Sequence, residues 1–149
     1  MSAQEIVCEK PNKFDNVCVK TAESDSLWKV IWSEGLMMCG VKDSERYRKE
    51  CRMMQAAILN DRIRAVLEEM NMNFSLCCCF DREGRMVDIY FSGPKTLMEK
   101  LDKEDFRYMY NQGMKHKVDM ENVVIKEDKH YIMRFIHIPL NKKFYQEEE

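Results

Sequence analysis

The stretch from Asn73 to Ser92, NFSLCCCFDREGRMVDIYFS, constrains the fold most. Two apolar runs, Phe74–Phe80 and Arg85–Phe91, flank Asp81-Arg82-Glu83-Gly84. Aspartate starts a turn because its carboxylate accepts a nearby backbone N–H, and glycine adopts the positive φ that closes a short loop. The pattern predicts an antiparallel β-hairpin. Side chains alternate across a strand. Phe74, Leu76, Cys78 and Phe80 therefore share one face, and Ser75, Cys77 and Cys79 the other. On the second strand Val87, Ile89 and Phe91 share a face, with Met86, Asp88 and Tyr90 opposite. The Phe74 and Val87 sets are expected to turn toward a helix, and Asp88 toward solvent.

Such a hairpin needs a partner layer, and the preceding segment supplies one. Tyr47, Cys51, Met54 and Ile58, then Leu59, Ile63, Val66, Leu67 and Met70, recur at helical spacing, with most charges off that stripe. They predict a long amphipathic helix over 44–70, capped by Asp43 or Ser44, with Asn60-Asp61 as a bend or break and Asn71 as its stop. Asp102 and Asp105 have the spacing of a capping box before a shorter helix over 103–112, with Gly113 ending it. Residues 118–126 and 129–140 read as a second hairpin about Glu127-Asp128. In its last strand Tyr131, Met133 and Phe135 face one way, and Ile132, Ile136 and Ile138 the other, with Arg134 between them. Pro139 ends the pairing. Upstream, Ile6-Val7-Cys8 and Val17-Cys18-Val19 are short β-like pieces, and residues 27–41 a short helix or strand. The expected fold is α+β: an antiparallel sheet of about four strands from two β-hairpins, packed against a long amphipathic helix and a second shorter one. One domain is expected over 1–149, with an N-terminal arm over 1–26, a core over 43–140 and a polar tail over 141–149.

Charge narrows the function classes. Lysine and arginine total 24 against 26 acids, for a net charge of −2, so no positive excess awaits a nucleic-acid backbone. No apolar run approaches the roughly 18 residues a membrane helix needs. The segment Ser2-Ala3-Gln4 resembles the small-residue end of a cleaved export signal, which would place the chain in the periplasm. The other reading is an ordinary cytoplasmic start.

The cysteine count is seven, an odd number, so at least one thiol stays free or pairs between chains. Cys77-Cys78-Cys79 cannot act as a metal triad on a strand, because neighbours project to opposite faces. Most cysteines read as small buried hydrophobes. Cys8 and Cys18 are the one pair placed for a disulfide, which would require an oxidising compartment. Cys77 or Cys79 could be a reactive thiol if His130 or His137 faced it across the sheet. His130 and His137 lie an odd number of residues apart and cannot share a metal, no H-E-x-x-H occurs, and no cofactor motif is present. Trp28 and Trp32, close in sequence, would bury a large apolar area or form an aromatic binding patch. Val123, Val124 and Ile125 are rich in β-formers and form a candidate partner-binding edge. That edge would be completed by the N-terminal arm, by a homodimer through strand pairing, or by strand addition to an unknown protein.

Asp81, Gly84, Arg85, Val87 and Ile89, in a hairpin followed by a helix and a closing strand ending Ile-His-Ile-Pro-Leu, resemble the C-terminal domain of TonB and related small proteins of Bacteroides-type bacteria. The resemblance covers residues 74–140, lacks the YP motif that precedes the TonB hairpin, and implies a non-catalytic, envelope-associated protein of a poorly characterised family. The expectation is thus a non-enzymatic binding or scaffolding module acting through protein–protein contact. The alternative is a small cytosolic thiol-dependent enzyme using Cys77 or Cys79.

Overall fold

The hairpin forms as its turn chemistry dictates. In the computed structural model, which describes residues 5–126 and 128–138 apart from the His137 side chain, β5 (Phe74–Asp81) and β6 (Met86–Pro94) pair antiparallel. The Asp81 carboxylate accepts the Glu83 and Arg85 N–H groups at 2.9 and 3.0 Å, and Gly84 takes φ 84°. The register slips between Cys79 and Phe80, so Cys79 faces Asp88 but Phe80 faces Met86. Val87 is the extra residue of this bulge. The slip moves Met86 into the core and leaves Val87 half-buried, the reverse of simple alternation.

The remaining strands extend this hairpin to six rather than four. β1 (Ile6–Cys8) and β2 (Asn16–Thr21) add antiparallel on the β6 side; β8 (Tyr131–Ile138) adds antiparallel to β5; β3 (Leu36–Met38) closes the other edge parallel to β8. The order is β1-β2-β6-β5-β8-β3. The N-terminal arm therefore completes the sheet at β6. Both outer strands are three residues long, which leaves little edge for another chain to extend.

The expected second hairpin does not form. The strand β7 (Val123–Val124) pairs instead with β4 (Gly40–Val41) in a separate ribbon. The side of β8 intended for it is occupied by β3. The candidate edge Val123, Val124 and Ile125 is thus corrected: Val123 is buried, Val124 is exposed, and Ile125 lies beyond the strand and packs partly on the core. The expectations for Ser2-Ala3-Gln4, Pro139 and the tail over 141–149 fall outside the described residues.

Helices cover both faces. The long helix splits into α2 (Ser44–Ile58) and α3 (Asp61–Met70), because Asn60 turns extended and caps Ile63 N–H at 2.9 Å. Asn71 ends α3 in the left-handed conformation. After the short α4 (Lys95–Met98), α5 (Lys103–Met114) opens on the Asp102/Asp105 capping box and runs through Gly113. Gly113 does not stop the helix. A Cβ there would sit 2.5 Å from Ile89 Cδ1, so glycine lets α5 lie close on β6. These helices cover the face carrying Phe74, Leu76, Cys78, Phe80, Ile89, Phe91, Ile132 and Ile136, all in one apolar core. The segment 27–41, of ambiguous periodicity, divides: its first part joins α1 (Ser24–Glu34) on the opposite face, and the rest supplies β3 and β4. Cys77 and Cys79 are buried beneath that second layer.

Gly84 is the turn position least able to accept a side chain. Its φ is positive, and a Cβ would lie 2.8 Å from the Val118 carbonyl oxygen. Gly84→Ala should cost about 1–3 kcal/mol, whereas the exposed Glu83→Ala should stay within about 0.5 kcal/mol. Urea denaturation of both variants checks this; equal midpoints would mean that the turn is not formed as described.

Candidate functional site

A carboxylate inside a sheet must have its hydrogen bonds filled by protein if water cannot reach it. Asp88, expected at solvent, is 0% exposed. Its Oδ2 accepts Ser24 Oγ–H at 2.6 Å and Trp28 Nε1–H at 2.8 Å, both from α1. Its Oδ1 accepts the Tyr110 hydroxyl of α5 at 3.3 Å. Tyr110 belongs to the main core on the other side of the sheet. It reaches Asp88 where β2 has stopped pairing with β6, the last pair being Val19 with Phe91. Donors from both layers therefore converge on one residue of the central hairpin, and α1 is held by its first turns.

Beside this anchor α1 and the sheet enclose an open cleft of about 360 Å³. Trp28 and Trp32 both line it, with Tyr90 from β6, Met133 and Phe135 from β8, and Cys18 and Lys20 from β2. Trp28 forms the fixed wall: its indole is hydrogen-bonded to Asp88 and meets the Tyr90 ring edge-on at 5.6 Å between centroids. Trp32 and Phe135 form an uncovered rim, 64% and 52% exposed. Met38 of the neighbouring edge strand is also exposed, and its partner in the β3–β8 register is Met133. Lys20 is neutralised in place by Asp25 at 2.6 Å and Glu9 at 3.0 Å.

A second polar cluster lies within the core on the opposite face. Arg134 of β8 is 1% exposed, its guanidinium 4.8 Å from the Tyr47 ring centroid and 5.2 Å from that of Phe80. Its Nη1 is 3.2 Å from Glu50 Oε2, which also accepts Asp119 N–H at 3.2 Å and meets His116 Nε2 at 2.7 Å. Burial opposes ionisation of Glu50, but the His116 hydrogen bond and the Arg134 charge prevail and pull its pKa down from 4.5 to about 2. The pair ties β8 to α2. The sequence placed Arg134 among core isoleucines, a signal that it needed a buried acid, though not which one.

The thiols are held in the unreactive state. Burial raises the pKa of Cys77 to about 11 and that of Cys79 to about 12, so both stay protonated near neutrality. His130 is exposed and His116 is engaged by Glu50. The His137 side chain is outside the described part. The disulfide expected between Cys8 and Cys18 is corrected to two free thiols. The register pairs Cys8 with Val19, which puts Cys8 and Cys18 on opposite faces of the ribbon. Among the described residues no group of three or more His, Cys, Asp or Glu side chains is placed to hold a metal ion. None of the described helices is long and apolar enough to cross a membrane.

No family model matches the chain. No curated protein matches it either. Among solved structures, a DUF5043 family protein from Bacteroides uniformis superposes with a TM-score of 0.62 over 92% of this chain and 87% of that one, at 12% identity. At that identity the likeness is one of fold. The α+β architecture is thus shared with a Bacteroides protein.

Two predictions test the site's supports. Asp88→Ala leaves Ser24, Trp28 and Tyr110 without their buried acceptor and should cost about 2–5 kcal/mol, with a red shift of tryptophan emission. Tyr110→Phe removes only the longest bond and should cost about 0.5–1.5 kcal/mol without that shift. Identical emission from both variants would contradict the Trp28 bond. For Glu50 the folded pKa is depressed, so its contribution, on the order of 3 kcal/mol, is present above pH 4.5 and lost as pH falls toward 2. Acid titration of stability should therefore be steeper across that window in the wild type than in Glu50→Gln, and equal slopes would refute the pairing.

Proposed function

We propose that this protein is a non-enzymatic binding module that acts through protein–protein contact at the cleft between α1 and the sheet. The carrying observation is the division of labour among its side chains. Asp88 is occupied by Ser24, Trp28 and Tyr110, and Lys20 by Asp25 and Glu9. The large apolar side chains left facing solvent about the cleft are Trp32, Phe135 and Met38. Large side chains held on a rigid support are what a protein interface uses as anchors. The candidate aromatic patch of Trp28 and Trp32 enters this reading with separate roles, Trp28 as structural wall and Trp32 as contact. The thiol-dependent alternative is weakened by the burial of Cys77 and Cys79 and by their raised pKa values.

Location is the finer part of the proposal. The hairpin over Asp81–Ile89, whose sequence resembles that of TonB C-terminal domains, is what supports a bacterial envelope role. Fractionation of the native gene product should recover it with periplasm or membranes, and recovery in the cytosol alone would overturn that part.

The contact surface is tested by selecting peptides from a displayed library against the intact protein. Selected peptides should lose at least about tenfold in affinity with Trp32→Ala and again with Phe135→Ala, since anchor residues cost more than 1 kcal/mol on truncation. Replacement of Phe14, exposed on the β1–β2 loop and not among the cleft-lining residues, should leave binding unchanged. Peptides that bind equally well to all three variants would place the contact elsewhere.

A further inference from the structure

The cleft has electrical as well as apolar character. Its rim offers two aromatic rings whose surfaces are largely uncovered, Trp32 and Phe135. Asp25 lines the same cleft, one helical turn before Trp28 and two before Trp32, with its side chain 74% exposed. Asp25 bonds Lys20 through Oδ1. Glu9 meets the same lysine, so a single ammonium on this wall is matched by two carboxylates. An aromatic face is negative at its centre and attracts a cation, most strongly for tryptophan. A guanidinium suits such a surface better than an ammonium: it is planar, more weakly hydrated, stacks on a ring and still directs N–H groups to a carboxylate.

From this arrangement we propose that the partner's anchor at the cleft is an arginine side chain, its guanidinium laid on the exposed aromatic rim with its charge toward Asp25. The proposal rests on the protein-contact reading above and specifies what the partner inserts. It assigns Asp25 the part of specificity-determining residue: the acid rewards a positive anchor, while the aromatic rings alone would accept any flat or apolar one.

Two short blocked peptides separate these contributions, one with a central arginine and one with citrulline, which keeps the planar shape but carries no charge. Binding to the intact protein is followed by quenching of tryptophan emission and by amide shifts. The arginine peptide should bind at least about fivefold more tightly than the citrulline peptide. Raised salt should narrow the difference. Asp25→Asn should remove most of the preference, and Trp32→Ala should abolish binding of both peptides. Asp25 is exposed on the first turn of α1, so Asp25→Asn should fold normally, which a thermal melt verifies. Equal binding of the two peptides, or a preference that survives Asp25→Asn, would overturn the inference. No binding of either peptide at millimolar concentration would also overturn it. If library peptides without arginine still depend on Trp32 and Phe135, the protein-contact reading stands and only the arginine anchor falls. If nothing depends on Trp32, both fail.

Discussion

The molecule depends on the filling of one buried carboxylate. Asp88 lies in the second strand of the hairpin at the centre of the sheet, and none of its surface reaches water. A carboxyl group in that position is tolerated only when hydrogen bonds replace the lost solvent. Ser24 and Trp28 supply two of them, and both sit on α1. The helix is thereby pinned on the face of the sheet that carries the cysteines. Tyr110 supplies the third from the opposite layer. With α1 fixed, Trp32 and Asp25 follow at helical spacing and the cleft takes its shape. The form of the cleft is a consequence of how Asp88 is satisfied.

On the other face Arg134 poses the converse problem. A guanidinium among core side chains needs a counter-charge, and Glu50 of α2 supplies it while the guanidinium lies over the Tyr47 and Phe80 rings. Such pairs seldom add much net stability, because desolvation offsets the attraction, but removal of one partner is severe. The pair specifies which helix lies over β8. Glu50 also holds His116 and the Asp119 backbone, so the segment after α5 is drawn to the same point. Each layer of helices is thus attached to the sheet through a buried polar group, Asp88 outward to α1 and Arg134 inward to α2.

Much of the local structure was legible in the chain. Asp81 and Gly84 specify a turn by their own chemistry, the Asp102/Asp105 pair specifies a helix start, and Asn60 specifies a break through its side-chain cap. These are contacts between residues a few positions apart, so sequence spacing suffices to read them. The alternation of Tyr131, Met133 and Phe135 against Ile132, Ile136 and Ile138 was equally plain, and it put Arg134 on the isoleucine face, which the structure shows to be the core side.

What the sequence could not express was which distant element fills each remaining place. The run at Val123–Val124 has the composition of a sheet strand, yet β3 takes the side of β8 it would have used, and β4 takes Val123–Val124. Residues 27–41 could be helix or strand by periodicity; those up to Glu34 belong to α1, and the hydrogen bonds to Asp88 are among the contacts that hold that helix on the sheet. Asp88 itself read as a solvent-facing acid, because an isolated acid in a strand normally marks the wet face; its three donors are 22 to 64 positions away. Cys8 and Cys18 looked bridgeable until the strand register put them on opposite faces. By itself the sequence determined the turns, the caps and the apolar faces, because those depend on neighbours along the chain. The tertiary structure alone decided the strand order, the burial of Asp88 and the cleft bearing Trp32, because those depend on contacts between segments whose meeting no local pattern encodes.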